Sequence, residues 1–261
     1  MSASRSSGIP TESSTEWWQP YVSDYGSEKP SKFARALAET IALEPNTKRL
    51  LDLGCGCGII GLYCLIEKKT QSVTFSDLMP VWIDKTRVNV ALKIEEGKII
   101  PSQAAVTDDM HFRQIPLELL KQHDMLAFNP PQYPEGYATT SELDKLGNDP
   151  TKATFRLAGP EGLEIAQDFF EWYSSLEQPK PDVVIVLSSF LGKRNIVDAI
   201  ESCHLQWAII AETRVFLRDE FSRKAEQFFE NTEEKQDRML QRDGVGWTKK
   251  LLTIKITDHR E

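Results

Sequence analysis

The stretch LLDLGCGCGIIG, residues 50–61, joins an apolar run to a helical pattern through a turn rich in glycine. Gly54, Gly56 and Gly58 have no Cβ, so a ligand can approach the backbone of the turn closely. The helix predicted behind the turn directs its free N–H groups to the same place. The stretch also contains the GxGxxG pattern of dinucleotide-binding proteins, a weak signal by itself. The turn therefore predicts a cofactor site at the end of a first β-strand.

Two acidic residues indicate which cofactor the turn binds. Asp52 precedes Gly54 at the strand end, where it would repel a diphosphate and attract an ammonium group. Asp77 ends the next predicted strand, where an acid accepts hydrogen bonds from ribose hydroxyls. S-adenosylmethionine has both an ammonium group and a ribose, whereas NAD has a ribose and a diphosphate. The alternative is that Asp52 is a turn acid and that Asp77 caps the following helix.

Outward from the turn, short apolar runs alternate with helical patterns. Such alternation is typical of βαβ units and a mainly parallel sheet, although the last two strands break the rhythm. The predicted helices cover residues 31–43, 59–68, 81–93, 160–176 and 192–203. The predicted strands cover residues 48–53, 72–77, 98–106, 123–129, 181–189, 207–217 and 249–258.

Composition and charge narrow the classes of partner. The net charge of −8 and the pI of about 5.2 argue against a broad surface for nucleic acid. No run of about 18 apolar residues predicts a membrane span, and residues 1–16 lack the apolar core of a signal peptide. The four cysteines (Cys55, Cys57, Cys64 and Cys203) fit free thiols in the cytoplasm. A metal or redox site at Cys55 and Cys57 is the minor alternative, and no metal is expected.

The chain resembles the Rossmann-like, class I S-adenosylmethionine-dependent methyltransferases, because Asp52 to Gly58 match their acid-x-Gly-x-Gly-x-Gly motif. The resemblance covers roughly residues 25 to 260. It implies an α/β fold, a doubly wound, mainly parallel seven-stranded sheet with an antiparallel last strand. It also implies S-adenosylmethionine as cofactor, bound by Asp52, Gly54, Cys55, Gly56, Gly58, Asp77, Leu78 and Asn129.

The tetrapeptide Asn129-Pro130-Pro131-Gln132 follows the fourth predicted strand. It resembles the Asn-Pro-Pro-aromatic motif of amino methyltransferases. That resemblance implies that the Asn129 side-chain oxygen and the Pro130 carbonyl accept the two N–H groups of an acceptor nitrogen, and that Asn129 and Pro130 are catalytic. The prolines stiffen the loop, so that Asn129 need not be ordered when substrate binds.

Two further segments are similar to the HemK-type, protein-glutamine methyltransferases: YGSEKPSKFARALAE, residues 25–39, and RLAGPEGLEIAQDFF, residues 156–170. There are three departures from that family. Gln132 replaces the aromatic residue, only about 30 residues precede the first helix where the bacterial release-factor enzymes have a domain, and the segment after Gln132 is long. Tyr133 or Tyr137 could replace the missing ring. The predicted substrate-binding residues are Pro131, Gln132, Tyr133 and Tyr25.

The predicted organisation is a flexible tail over residues 1–30 and a methyltransferase domain over residues 31–261. Trp17, Trp18 and Tyr25 in the tail form either a lid over the site or an anchor. An inserted helix at about residues 219–241 caps the site, packs against a partner such as a second copy in a homodimer, or is a solvated excursion.

The function predicted on these grounds is methyl transfer to nitrogen by a cytoplasmic, HemK-like enzyme, with a protein glutamine amide as the first acceptor considered. Methylation of a small-molecule amine or other metabolite is the alternative. A nucleic-acid base methyltransferase, a non-catalytic subunit that binds S-adenosylmethionine and a nicotinamide-dependent oxidoreductase are weaker hypotheses.

Overall fold

The structure is a computed structural model, and it describes residues 16–25, 29–45, 47–134, 158–217, 226, 232–242, 244 and 246–257. None of the helices in these ranges is long and apolar enough to cross a membrane. The α-helices are α1 (Lys32–Ile41), α2 (Ile59–Ile66), α3 (Pro80–Glu95), α4 (Leu117–Leu120), α5 (Glu164–Ser175), α6 (Lys193–Glu201) and α7 (Thr232–Asp237). The strands are β1 (Arg49–Leu53), β2 (Ser72–Ser76), β3 (Ala104–Val106), β4 (Met125–Phe128), β5 (Asp182–Ser188), β6 (Gln206–Phe216), β7 (Gln241–Arg242) and β8 (Trp247–Thr257).

The strands form one sheet in the order β3-β2-β1-β4-β5-β8-β6, with the two-residue β7 paired to β8. The first five strands are parallel, whereas β8 runs antiparallel to both β5 and β6. The predicted fold class, a Rossmann-like and mainly parallel sheet with an antiparallel last strand, is therefore confirmed. Within the described residues, the short β7 is the one addition to the seven strands predicted.

The sheet is covered on both faces, which explains why its central strands are almost wholly apolar. Alternate residues of β5 point to opposite sides: Val184 and Val186 join a core cluster with α1, α2 and α3. Val183 and Ile185 join a second cluster with α5 and α6. The sheet is thus the middle layer of three, and ligands of such folds bind at the carboxyl ends of the parallel strands.

The pairing register brings three predicted site segments to that edge. Leu53, the last residue of β1, pairs with Ser76 of β2 on one side and with Phe128 of β4 on the other. The residues that follow these three positions are Gly54, Asp77 and Asn129. They therefore leave the sheet side by side, although long stretches of chain separate them.

Two predicted boundaries are wrong for local reasons. The strand predicted from residue 98 begins only at Ala104, because Pro101–Gln103 form a 3-10 turn. The helix predicted from Pro160 begins at Glu164, because Gly162 has a φ value of 81°, which a right-handed helix does not allow. Of the insertion predicted at 219–241, the structure describes residue 226 and residues from 232 onward, and its role stays a prediction.

Candidate active site

The glycine turn closes tightly after β1. Its three glycines, Gly54, Gly56 and Gly58, all have positive φ. A Cβ on Gly56 would meet nothing within 4 Å, so its backbone borders open space. A Cβ on Gly61 in α2 would lie 2.4 Å from the Phe75 ring, so this glycine lets the helix pack directly on the sheet. The turn is exposed at Gly54 and half-buried at Gly56, and helix α2 lies directly behind it.

Asp52 lies beneath this turn and is completely buried. Its Oδ2 accepts a hydrogen bond of 2.9 Å from the Gly61 N–H, whereas its Oδ1 has no hydrogen-bond partner within the described part of the chain. Burial raises the pKa of Asp52 to about 7; the Gly61 N–H opposes this shift and the charge of Asp77 adds to it. Asp52 thus fixes the start of α2, and its contact with an ammonium group stays a prediction.

Asp77 connects the end of β2 to the turn. Its Oδ2 accepts from the Gly56 N–H and its Oδ1 from the Met79 N–H, both at 2.9 Å. Met79, rather than Asp77, occupies the N-cap position of α3. Burial raises the pKa of Asp77, although the backbone N–H bonds act in the opposite direction. Each carboxylate oxygen keeps a second lone pair that a ribose hydroxyl can use.

The arrangement fits S-adenosylmethionine better than a dinucleotide. Neither Asp52 nor Asp77 forms an ion pair with another described residue, so no described side chain neutralises their carboxylates when they are ionised. A sulfonium and an ammonium group would be attracted there, whereas a diphosphate would be repelled. Leu78, which is 49% exposed, adds apolar surface directly beside Asp77, as an adenine ring requires.

Helix α3 contributes two residues to the turn that the sequence analysis missed. The Thr86 hydroxyl donates to the Gly56 carbonyl at 2.7 Å, and the buried Asn89 side chain donates to the Cys57 carbonyl at 3.0 Å. Both polar residues share a helical stripe with the buried Ile83 and Val90. A polar residue within an apolar stripe of a helix is the signal that could have identified them.

Asn89 also ties the N-terminal segment to the turn. Its Oδ1 accepts from the N–H groups of Ser23 and Asp24, and its Nδ2 donates to the Asp24 carbonyl. Of the aromatic residues in this segment, Trp18 and Tyr21 are buried, and the Tyr25 ring lies 4.3 Å from that of Trp18. The segment thus packs onto the domain beside the turn, and the predicted substrate contact of Tyr25 stays a prediction.

The thiols of the turn lie in the buried core, and the predicted contact of Cys55 with the cofactor stays a prediction. Cys55 and Cys57 are buried, and the Cys55 Sγ lies 3.5 Å from the Thr86 Oγ1. Burial raises the pKa of Cys57 to about 12 and raises that of Cys55 as well, so both remain protonated at neutral pH. The described residues contain no group of three or more His, Cys, Asp or Glu side chains that could hold a metal ion.

Asn129 stands directly after β4, next to the glycine turn. It is half-buried, and its side chain forms no hydrogen bond with a described residue. A Cβ added to Gly54 would lie 3.5 Å from the ring of Phe128, the residue before Asn129. The end of β4 and the glycine turn are therefore in close contact. Pro130 is buried and Pro131 is half-buried. The structure therefore brings Asn129, Gly54 and Asp77 together, as the sequence predicts.

The residues after Pro131 pack against the end of β5 and an apolar cluster beside it. Both polar atoms of the Gln132 side chain bind the backbone of β5. Tyr133 packs against an apolar cluster of Phe190, Leu217, Leu240 and Trp247. Contacts of Pro131, Gln132 and Tyr133 with an acceptor stay predictions, and Tyr137 lies outside the described residues.

Residues 24–144 match the family model of the methyltransferase small domain. The match includes the glycine turn, both acids and Asn129. It supports a methyltransferase that depends on S-adenosylmethionine, and the predicted cofactor is confirmed.

Solved structures resemble the chain at low sequence identity. YcgJ from Bacillus subtilis is 10% identical with a TM-score of 0.48, over 87% of this chain and 100% of that one. Precorrin-6y C5,15-methyltransferase from Geobacter metallireducens is 8% identical with a TM-score of 0.48, over 92% and 94%. The M1A22 tRNA methyltransferase TrmK from B. subtilis is 12% identical with a TM-score of 0.44, over 88% and 68%. The substrates of these proteins do not carry over to this chain.

The raised pKa of Asp52 predicts that cofactor binding depends on pH. Without cofactor, Asp52 titrates at about 7; a bound cation favours its ionised form, so binding releases a proton. The dissociation constant for S-adenosylmethionine should therefore fall about five- to tenfold between pH 6 and pH 7.5. Calorimetry at the two pH values measures this. The comparison stops at pH 7.5 because the ordinary pKa of a free α-amino group, such as that of the cofactor, is about 7.7. Above this pH the amino group of the cofactor loses its positive charge.

Asp52→Asn provides the control for this pH effect, since an amide has no proton to release in this range. Its dissociation constant, whatever its absolute value, should change less between the two pH values than that of the wild type. A wild-type constant that is equal at the two pH values, or larger at pH 7.5, would contradict the coupling of Asp52 to the cofactor.

Proposed function

We propose that this protein transfers a methyl group from S-adenosylmethionine to a nitrogen atom that Asn129 and Pro130 hold in place. The observation that carries the proposal is the position of Asn129. Its amide is half-buried at the carboxyl edge of the sheet, beside the glycine turn, with no described hydrogen-bond partner. An unpaired amide at such a place is suited to bind a ligand rather than to stabilise the fold.

The two acceptor groups explain why nitrogen is the favoured target. The Asn129 Oδ1 would accept one N–H of the target, and the Pro130 carbonyl would accept the other. These bonds weaken conjugation of the nitrogen lone pair and direct it away from the two acceptors. S-adenosylmethionine supplies an electrophilic methyl group on a sulfonium centre. The surplus proton leaves the nitrogen after transfer, so no general base is required at the site.

Positioning of the two reactants is expected to supply most of the reduction in the activation barrier. Holding two reactants in line can contribute about 7–11 kcal/mol, whereas one hydrogen bond to a nitrogen that gains positive charge contributes about 1.5–3 kcal/mol. The rigid loop is consistent with this division, because two consecutive prolines restrict the backbone on either side of the acceptor carbonyl.

The acceptor that the sequence favours is a glutamine amide of a protein, since residues 25–39 and 156–170 are similar to HemK-type enzymes. A small-molecule amine is the alternative, favoured by Gln132 in place of an aromatic residue. Transfer to a nucleic-acid base is disfavoured by the net charge of −8.

The chemistry of the product tests the proposal. The full chain is incubated with S-adenosylmethionine labelled in its methyl group and with cell extract, which is then separated into protein, nucleic acid and small molecules. Strong acid hydrolysis of an N-methyl amide releases labelled methylamine, whereas an N-methyl amine keeps its label. Mild base releases labelled methanol from a methyl ester. Methylamine in the protein fraction supports a glutamine amide, and a stable N-methyl product among small molecules supports the alternative. Methanol would contradict transfer to nitrogen.

A further inference from the structure

The parallel pairing of β4 with β5 ends before β5 itself ends. The last pair is Phe128 with Ile185, although β5 continues to Ser188. The Asp182 N–H donates to the Asp124 carbonyl, so alternate residues from Asp182 onward face β4. The Val186 carbonyl and the Ser188 N–H would therefore pair with a longer β4. The chain at that place is Asn129-Pro130-Pro131, and the two prolines have no N–H to donate.

The Gln132 side chain takes the place of the missing backbone. Its Oε1 accepts from the Ser188 N–H at 2.7 Å, and its Nε2 donates to the Val186 carbonyl at 3.0 Å. A carboxamide has the same donor and acceptor groups as a peptide unit, so it can continue a sheet ladder where the main chain cannot.

We infer that Gln132 is a positioning residue, which fixes the loop of Asn129 and Pro130 to β5 and so sets the geometry of methyl transfer. The inference rests on the proposed function for its catalytic part. It differs from the predicted role of Gln132 as a substrate contact, because both polar atoms of the side chain are directed at β5. A phenylalanine side chain at this position could form neither hydrogen bond.

Contacts on the opposite side of the loop support the same role. A Cβ on Gly162 would lie 3.0 Å from the Pro134 nitrogen and 3.1 Å from the Gln132 carbonyl oxygen, so the 158–163 turn packs directly against the loop. The Ala158 N–H donates to the Tyr133 carbonyl at 3.3 Å. The loop is thus held between β5 and this turn.

Gln132 also reaches the carbonyl proposed to bind the acceptor. Its Nε2 lies 3.4 Å from the Pro130 oxygen, a weaker contact than the one to Val186. A carbonyl oxygen has two lone pairs, so the second remains for an acceptor N–H. Loss of the Gln132 amide should therefore disturb both the position of the loop and the orientation of this carbonyl.

Hydrogen exchange tests the structural part without any acceptor. In Gln132→Ala, the Ser188 amide should exchange at least about fivefold faster than in the wild type, because it loses the Gln132 acceptor. The amides of Asp182 and Val184, which face β4, serve as internal references. Gln132→Glu keeps an oxygen for the Ser188 N–H, so its exchange at Ser188 should stay close to that of the wild type. Unchanged exchange in Gln132→Ala would overturn the inference.

Methyl transfer into cell extract, at saturating S-adenosylmethionine, tests the catalytic part. Gln132→Ala should lower turnover about 10- to 100-fold, the scale of a small misplacement at a reacting centre, with cofactor affinity unchanged. Gln103→Ala is the matched control. Gln103 is also half-buried and accepts a backbone N–H, that of Ile100, but it lies at the opposite edge of the sheet.

The Gln132→Glu variant separates positioning from loss of stability. Its carboxylate cannot donate to Val186, so turnover should be low at pH 8. Low turnover in Gln132→Glu together with wild-type exchange at Ser188 would assign the loss to positioning rather than to unfolding.

Wild-type turnover in both Gln132 variants would overturn the inference if Asn129→Ala is inactive in the same assay. Full turnover of Asn129→Ala would instead contradict the proposed function. The exchange data at Ser188 would still show whether Gln132 binds the backbone of β5.

Discussion

Replacing Asn129 with alanine should reduce the rate of methyl transfer about 10²- to 10³-fold, the loss observed when one preorganised catalytic group is removed. The cofactor dissociation constant should change little, because the Asp77 side chain and the glycine turn remain intact. Folding should also be unaffected, since the Asn129 side chain has no hydrogen bond with a described residue. Label transfer into extract and calorimetry with S-adenosylmethionine measure the two effects separately.

Asn195→Ala is a suitable control for this experiment. Asn195 lies on α6, and its side chain donates to the Leu191 carbonyl at 2.9 Å, so its loss affects local structure and not the proposed acceptor site. Its turnover should equal that of the wild type. Wild-type turnover in Asn129→Ala would show that the amide does not hold the acceptor.

Replacing Asp77 with alanine should have the opposite effect: it should weaken cofactor binding more than it lowers turnover. It removes a charged acceptor for two ribose hydroxyls, each bond being worth about 1.5–3 kcal/mol, so the dissociation constant of S-adenosylmethionine should increase about 10²-fold or more. It also frees the Gly56 and Met79 N–H groups that Asp77 binds, which loosens the turn. Turnover at saturating cofactor should fall much less than affinity.

Asp84→Ala controls for the loss of one acidic side chain near α3. Asp84 is exposed and pairs with Arg87, and such surface pairs contribute little. Its cofactor affinity should match that of the wild type. If Asp77→Ala and Asp84→Ala bind S-adenosylmethionine equally well, Asp77 does not contact the ribose.

The parts of the site that follow from local sequence are those that were predicted. The glycine turn, Asp77 and Asn129 each lie at the end of an apolar run. The alternation of strands and helices is enough to bring such ends to one edge of a parallel sheet. These three features meet at the residues that follow Leu53, Ser76 and Phe128. That meeting requires only the topology of the sheet, which the alternation of strands and helices indicates.

The parts that depend on distant pairing could not be predicted. The burial of Asp52 follows from its bond to the Gly61 N–H, nine residues away, and the role of Asn89 follows from contacts to Asp24, 65 residues away. Gln132 is the clearest case, since its partner strand is 54 to 56 residues further along the chain. The adjacent prolines indicate that β4 ends before Gln132, but nothing near Gln132 indicates that β5 extends beyond that end.

Local backbone conformation accounts for the remaining difference. Pro160 favours the first turn of a helix, and the sequence therefore predicts a helix start there. Gly162 instead adopts a positive φ and lies against the loop of Gln132 and Pro134. A tertiary contact thus overrides a local helix signal, and α5 begins at Glu164.

A crystal structure with S-adenosylhomocysteine bound tests the central claim most directly. The account predicts that the ribose hydroxyls bind the Asp77 carboxylate, that the amino-acid end lies over the Gly56 backbone, and that the sulfur faces the Asn129 side chain. A nucleoside bound away from Asp77, or a sulfur directed away from Asn129, would contradict it.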